Sequence, residues 1–206
     1  MTTSEQDVPQ GQAQDHSKYL VDRLLNGADV NLFNHVKFHL LKQEIDRLGL
    51  NKPKVLDIGC GAQVSRRYLT SLDLDFDSFG ADYEARLEPD AIIDLRDPKE
   101  AMAQLPWEPD VVVMLDVLEH LHEDIEVLET MLGGIKATLP EGVTFILTLP
   151  QLYRLDRFKL PHLHYPEHKI RLTQEEWLTL ISTHFHIQRV QGLGYLSVIP
   201  YLPMAS

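Results

Sequence analysis

Two glycines and a distant acid have the residue types and spacing of a nucleoside-binding loop. Gly59 and Gly61 follow a short apolar run, and Asp82 closes a second run 21 residues after Gly61. Glycines let the backbone turn tightly and approach a ligand, and an acid at about this distance accepts hydrogen bonds from both ribose hydroxyls. The combination predicts a nucleoside site and is more specific than the glycines alone.

The same loop argues against a dinucleotide. A dinucleotide loop follows the pattern G-x-G-x-x-G, which would place a third glycine at position 64, where the chain has Val64. A dehydrogenase also normally needs a second mononucleotide half or a substrate domain, for which 206 residues are few. Both observations therefore count against a nicotinamide-dependent reductase.

Helical and strand patterns alternate along the chain and must position this loop. Apolar spacing predicts helices over residues 17–25, 31–50, 64–72, 123–137 and 173–185, and strands over residues 54–59, 78–82, 91–93, 110–115, 143–150 and 186–194. Strands separated by helices predict an α/β fold, a Rossmann-like, doubly wound and mostly parallel sheet with helices on both faces and an N-terminal helical cap. Ligands bind such a sheet at the carboxyl ends of its strands, where the glycine loop falls.

Composition limits the cellular context and the partners. The formal net charge of -12 repels phosphate backbones, so we expect no nucleic-acid substrate. No run approaches the roughly 18 apolar residues of a membrane-spanning helix, so we expect no membrane association. Cys60 is the single cysteine and cannot form an intramolecular disulfide, which fits a cytoplasmic protein. The polar residues 1–16 predict a flexible tail.

Three segments together resemble a known family. The segments VLDIGCG (55–61), GADYE (80–84) and VVVMLDVLEHLHE (111–123) are similar to a class I S-adenosylmethionine-dependent methyltransferase of the small-molecule type with a DVLEHL signature. The resemblance covers about residues 54–194. It implies one methyltransferase domain over residues 17–206, with N-terminal helices over 17–50 and the core over 54–206.

The resemblance also implies a role for each matching residue in binding S-adenosylmethionine. The methionine part would lie against Asp57, Gly59, Gly61, Leu115 and Asp116, the ribose would be held by Asp82, and the adenine would lie beside Tyr83, Asp94 and Leu95. One departure concerns the loop, because Gln63 stands where the family often has a further glycine. Gln63 either lines the cofactor pocket or marks a loop that has drifted from catalysis.

Histidines are the candidates for handling a proton of the acceptor. For a hydroxyl acceptor the protein must align the nucleophile with the sulfonium methyl and remove a proton. We predict His120, from the LEH segment, and His168 as the catalytic residues; alternatively, His120 is a helix-start histidine bonded to the backbone. We predict no metal site, because a cation that clamps catechols uses hard oxygen ligands and His162, His164 and His168 lack a spaced pair of aspartates.

The predicted function is methyl transfer from S-adenosylmethionine to a small molecule, with oxygen favoured over nitrogen or carbon as the acceptor atom. The alternative from another class is a non-catalytic methyltransferase-like protein that keeps the fold for binding or assembly. Residues 195–206 are short for the seventh strand that the family usually has, and Pro200 and Pro203 limit a ladder there. Either that strand is stubby, or a partner completes the edge, as in a homodimer.

Overall fold

The structure is a computed structural model that describes residues 30–151 and 167–193. The described strands are β1 (Lys54–Ile58), β2 (Asp77–Asp82), β3 (Ala91–Ile92), β4 (Val111–Leu115) and β5 (Thr144–Thr148). The described α-helices are α1 (Leu32–Arg47), α2 (Val64–Ser71), α3 (Pro98–Met102), α4 (Leu118–Leu121), α5 (Ile125–Thr138) and α6 (Gln174–Ser182). None of these helices combines the length and apolarity needed to cross a membrane.

The five described strands form one parallel sheet in the order β3-β2-β1-β4-β5. The chain winds outward in one direction from β1 through β2 to β3, and then in the other direction from β4 to β5. The order therefore reverses between β1 and β4, which opens a crevice beyond the carboxyl ends of these two strands. The predicted α/β fold class, a doubly wound Rossmann-like sheet, is confirmed.

Apolar side chains of the sheet pack into two buried clusters, one on each face. Leu56 and Ile58 of β1 contribute to the cluster beneath α5 and α6, whereas Val55 contributes to the cluster beneath α1 and α2. The strand β4 divides its side chains in the same alternating way, so it is buried on both faces and reads as an unbroken apolar run. This explains why its sequence pattern predicts its position so closely.

Two helix starts follow from their capping residues. The side chain of Asn31 accepts a hydrogen bond from the backbone of Asn34 and begins α1. Thr173 and Glu176 form a capping box at the start of α6. The helix α6 ends at Ser182, three residues short of the predicted end, and its Trp177 is buried in the core.

One predicted strand is wrong. Residues 186–193 are described and form no strand, and the apolar side chain of Val190 is exposed. Alternating residues favour a strand only where a neighbouring strand pairs with them and one face is covered. The predicted helix over 17–25, the tail over 1–16, the residues His162 and His164, and the segment 194–206 lie outside the described residues.

Candidate functional site

The predicted site residues line one long cleft, which follows the carboxyl ends of the strands and continues past β5 to residues 184–193. They reach it from the ends of β1, β2 and β4, from the segment after β3 and from the segment before α6. The residues that line the cleft include every predicted position, namely Asp57, Gly59, Gly61, Asp82, Tyr83, Asp94, Leu95, Leu115, Asp116, His120 and His168. Their juxtaposition is a property of the fold, and the role of each remains a prediction.

The loop between β1 and α2 needs glycine for two reasons. Gly59 and Gly61 have positive φ angles of 77° and 53°, which side chains other than glycine rarely adopt. A Cβ atom on Gly59 would also lie 2.4 Å from Cγ2 of Val117. The loop is tied to β2, because the backbone N–H groups of Gly59 and Cys60 donate to the carbonyl of Ala81 at 2.7 and 3.2 Å.

Asp82 connects the glycine loop to the end of β2. Its buried carboxylate accepts hydrogen bonds from the backbone N–H of Gly61 at 2.9 Å and of Glu84 at 3.0 Å. A carboxylate offers about four acceptor positions, so two bonds leave capacity for further donors. The distal acid that the sequence assigns to a ribose therefore also holds the loop in place.

Asp57 places a second buried carboxylate in the cleft. Burial raises its pKa from 3.8 to about 6, and a hydrogen bond with Ser65 and the charge of Lys37 oppose that rise. A buried carboxylate whose ionised form is costly gains most from a cationic partner, because the partner offsets the loss of solvation. This environment suits contact with a ligand ammonium group.

Gln63 lies beside the loop and is not among the residues that line the cleft. Its φ angle of 57° is one that a glycine would adopt without strain, which fits a family preference for glycine there. Its side chain packs over Gly80, where a Cβ atom would lie 2.3 Å from Gln63 Oε1, and Gln63 Nε2 donates to the Glu88 carbonyl at 3.4 Å. The departure at position 63 therefore changes the outer side of the loop.

A partly buried ion pair that the sequence did not predict holds the end of β4. Lys37 of α1 donates to Oδ2 of Asp116 at 2.8 Å, and Thr148 of β5 donates to Oδ1 at 2.7 Å. The Lys37 ammonium also lies 5.7 and 5.3 Å from the ring centres of Phe33 and Phe38. A lysine on the otherwise apolar face of α1 is the sequence signal that could have identified this pair.

The part of the cleft beside α4 contains a buried acid between two histidines. The side chain of Glu119 is only 1% exposed, and burial, followed by the charge of Asp116, raises its pKa to about 8. His120 Nδ1 lies 2.9 Å from the carbonyl oxygen of Glu167. The rings of His120 and His168 lie edge to face, with their centres 4.9 Å apart. Burial, followed by the charge of His120, lowers the pKa of His168 to about 4, so its ring is neutral near pH 7. The sequence indicated both histidines as candidate catalytic residues, but it did not indicate Glu119.

The predicted adenine contacts lie at the outer rim of the cleft. Tyr83 is 72% exposed. Asp94 is ion-paired with Arg96, and hydrogen bonds from Arg96 lower the pKa of Asp94 to about 2. A broad exposed ring and a fixed carboxylate at a rim are compatible with a base lying across the cleft mouth.

Comparison with protein families identifies this arrangement. A family model described as a methyltransferase domain matches residues 33–195. The chain belongs to the methyltransferase domain family. S-adenosylmethionine is the cofactor of the chain. No curated protein sequence matches it.

Solved structures of methyltransferases share the fold at low sequence identity. A candidate O-methyltransferase from Nostoc punctiforme PCC 73102 is 17% identical, with a TM-score of 0.61, and the match covers 84% of this chain and 56% of that chain. The candidate methyltransferase in complex with the Trm112 activator from Haloferax volcanii is 18% identical, with a TM-score of 0.55 and coverages of 80% and 74%. A S-adenosylmethionine-dependent methyltransferase from Archaeoglobus fulgidus is 21% identical, with a TM-score of 0.50 and coverages of 73% and 70%. This methyltransferase chain spans little more than half the length of the Nostoc protein.

Proposed function

We propose that this methyltransferase transfers the methyl group of S-adenosylmethionine to the oxygen of a small-molecule hydroxyl. The proposal rests on one observation, the presence in a single cleft of the glycine loop with Asp82 and of the cluster formed by Glu119, His120 and His168. The first set of residues suits a nucleoside. The second set suits an acceptor that must lose a proton.

The ends of β1 and β2 are assigned to the cofactor. Asp57 receives the methionine ammonium, whose charge offsets the cost of burying its carboxylate. Gly59 and Gly61 let the backbone approach the methionine part, and Asp82 accepts the ribose hydroxyls with the acceptor capacity that its two backbone bonds leave. The assignment of Tyr83, Asp94 and Leu95 to adenine and of Leu115 and Asp116 to the methionine amine extends from the family resemblance.

The histidines are assigned to the acceptor. A carbonyl oxygen only accepts hydrogen bonds, so the bond between His120 Nδ1 and the Glu167 carbonyl places the ring hydrogen on Nδ1. The other nitrogen, Nε2, then keeps a lone pair that can take the proton of a hydroxyl. As the oxygen attacks the sulfonium methyl, the carbon–sulfur bond breaks and its electron pair stays on sulfur. Oxygen is favoured as acceptor because a neutral hydroxyl needs such a proton acceptor.

The charge of the chain bears on the choice of substrate. A net charge of -12 disfavours a nucleic acid, which supports a small molecule that enters the cleft. A cytoplasmic location and a homodimer remain predictions, and size-exclusion chromatography with light scattering tests the second of these.

The position of Gln63 supports catalysis over the non-catalytic alternative. That alternative depended on Gln63, whose side chain packs over Gly80 and is not among the cleft-lining residues. Because the Gln63 side chain packs over Gly80, it leaves Gly59 and Gly61 free to approach the cofactor.

Calorimetry with S-adenosylhomocysteine tests the cofactor assignment. We expect binding to the unmodified chain, and Asp82→Asn should weaken it by about 1–3 kcal/mol because charge-assisted ribose hydrogen bonds are lost. Asp75→Asn, an exposed aspartate outside the cleft lining, is the matched control and should bind normally. Absence of binding to the unmodified chain, with NADH bound instead, would overturn the proposal. An acceptor screen that measures released S-adenosylhomocysteine then tests the choice of oxygen.

A further inference from the structure

The carboxylate of Glu119 is buried, and one of its oxygens is unpaired among the residues that the structure describes. The side chain is 1% exposed, and its Oε2 atom accepts no hydrogen bond from any of those residues. An ionised carboxylate in such a place is costly unless it is paired or coordinates a metal. A cation bound beside Glu119 would offset this cost and favour the ionised carboxylate.

Two imidazole nitrogens converge on the same carboxylate. Oε1 of Glu119 lies 3.9 Å from Nε2 of His120 and 3.9 Å from Nε2 of His168. One ligand atom from each of the three residues lies within 4.8 Å of the others. Ligand bonds of about 2.0–2.1 Å in a tetrahedral site separate neighbouring ligand atoms by about 3.3 Å. Small side-chain rotations would shorten the observed 3.9 Å distances between ligand atoms to this separation.

The backbone already orients one of the two rings for coordination. The bond between His120 Nδ1 and the Glu167 carbonyl puts the hydrogen on Nδ1 and leaves the Nε2 lone pair available on the side of Glu119. Metal-binding histidines typically donate their other N–H to a carboxylate or a backbone carbonyl, which fixes the ring and its tautomer. His120 makes this supporting bond without a metal present.

From these contacts we propose that Glu119, His120 and His168 bind a divalent first-row transition-metal cation, with Zn²⁺ or Mn²⁺ as representatives. Two imidazoles and one carboxylate suit such cations, whereas Mg²⁺ and Ca²⁺ prefer oxygen ligands throughout. Three protein ligands leave coordination positions open, and all three residues line the cleft that holds the glycine loop. The site therefore opens toward the space in which the cofactor and acceptor would meet.

The role of the cation deepens the proposed function and rests on it. An acceptor hydroxyl that binds the cation becomes more acidic, so its proton leaves to water and its oxygen attacks the sulfonium methyl. The carbon–sulfur bond breaks, and its electron pair remains on sulfur. In this state His120 and His168 serve as ligands, and the cation replaces direct proton transfer to His120.

This inference revises the prediction of no metal site. That prediction considered His168 together with His162 and His164, which are close to it along the chain. The structure places His168 beside Glu119 and His120, which come from the turn after β4. The ligand set therefore combines two distant segments.

Titration of the metal-free chain with Zn²⁺ tests the proposal. We expect about one equivalent to bind by calorimetry, and Co²⁺ to give the visible absorption of a coordinated ion. Glu119→Gln, His120→Gln and His168→Gln should each weaken Zn²⁺ binding by at least about 10- to 100-fold. The matched control is His122→Gln, which removes a nearby imidazole that instead accepts the backbone N–H of Asp124. This control should bind Zn²⁺ as the unmodified chain does.

Several outcomes would overturn the proposal. They are the absence of Zn²⁺ binding and of Co²⁺ absorption in the unmodified chain, full affinity in a folded His168→Gln variant, or an equal loss in His122→Gln. Circular dichroism checks the fold of each variant, and the spectrum of the unmodified chain decides the question if a variant does not fold. Calorimetry with S-adenosylhomocysteine on the same metal-free sample separates the two proposals. Cofactor binding without Zn²⁺ binding would overturn only the proposed cation site. Zn²⁺ binding without cofactor binding would overturn only the proposed methyl transfer.

Discussion

The ion pair between Lys37 and Asp116 allows a quantitative test of how α1 is joined to the cleft. The substitution Lys37→Met keeps the apolar stem that packs near Phe33 and Phe38 but removes the ammonium. Asp116 then retains only the hydrogen bond from Thr148 among the side-chain partners described for it. We expect the free energy of unfolding to fall.

The exposure of the two partners sets the size of the effect. Breaking a fully buried pair costs about 3–5 kcal/mol, whereas an exposed pair is worth about 0–1 kcal/mol. The Lys37 side chain is 8% exposed and that of Asp116 is 40% exposed, so water can replace part of the lost interaction. We therefore expect a loss of about 1–2 kcal/mol, which lowers the melting temperature of a domain of this size by roughly 2–8 °C.

Urea and thermal unfolding of a double-mutant cycle measure this contribution. Lys37→Met, Asp116→Asn and the double variant should give a coupling energy of at least about 0.5 kcal/mol. Lys42→Met is the matched control, because Lys42 pairs with Asp46 on the exposed side of the same helix, and we expect a change of at most about 0.5 kcal/mol. A coupling near zero, or an equal loss in the control, would refute the reasoning.

Three further predictions concern the loop acid, the loop glycine and a helix cap. Because burial raises the pKa of Asp57 to about 6, its ionised form is penalised in the folded chain, so the contribution of Asp57 to stability should fall as pH rises from about 4 to about 6. In urea unfolding, Asp57→Asn should therefore gain stability relative to the unmodified chain over this range; a difference between the two that does not change with pH would contradict the prediction. Gly59→Ala should weaken S-adenosylhomocysteine binding at least about tenfold by calorimetry, whereas Gly142→Ala, with a similar φ angle and open space around it, should not. Thr173→Ala should cost about 1 kcal/mol in thermal unfolding, and a loss no larger than that of Thr179→Ala would argue against the capping box.

Local patterns were sufficient to predict most of the fold. The strand β4 was predicted over 110–115 and occupies Val111–Leu115, because burial on both faces leaves a continuous apolar run in the sequence. The segment 186–194 shows where the same reasoning fails. Its alternation describes its own side chains but contains no information about whether a neighbouring strand is present to pair with it.

The residues of the site also differ in how far the sequence could predict them. The conformation of the glycine loop and the position of Asp82 at the end of β2 could be predicted, because they depend on backbone geometry and on spacing along a strand–loop–helix unit. Lys37 and Glu119 could not, because their importance arises from atoms that meet across long separations. Lys37 and Asp116 are 79 residues apart, and His120 and Glu167 are 47 residues apart.

The sequence by itself determined the parallel α/β fold and the glycine loop, because hydrophobic period, capping and glycine conformation are encoded within a few consecutive residues. Only the tertiary structure decided that Gln63 packs over Gly80 and that Glu119, His120 and His168 converge. Those outcomes depend on how the chain crosses over the sheet and on which side chains then exclude water from one another. Burial of an acid between two imidazoles is therefore a property of the assembled cleft, although each residue is visible in the sequence.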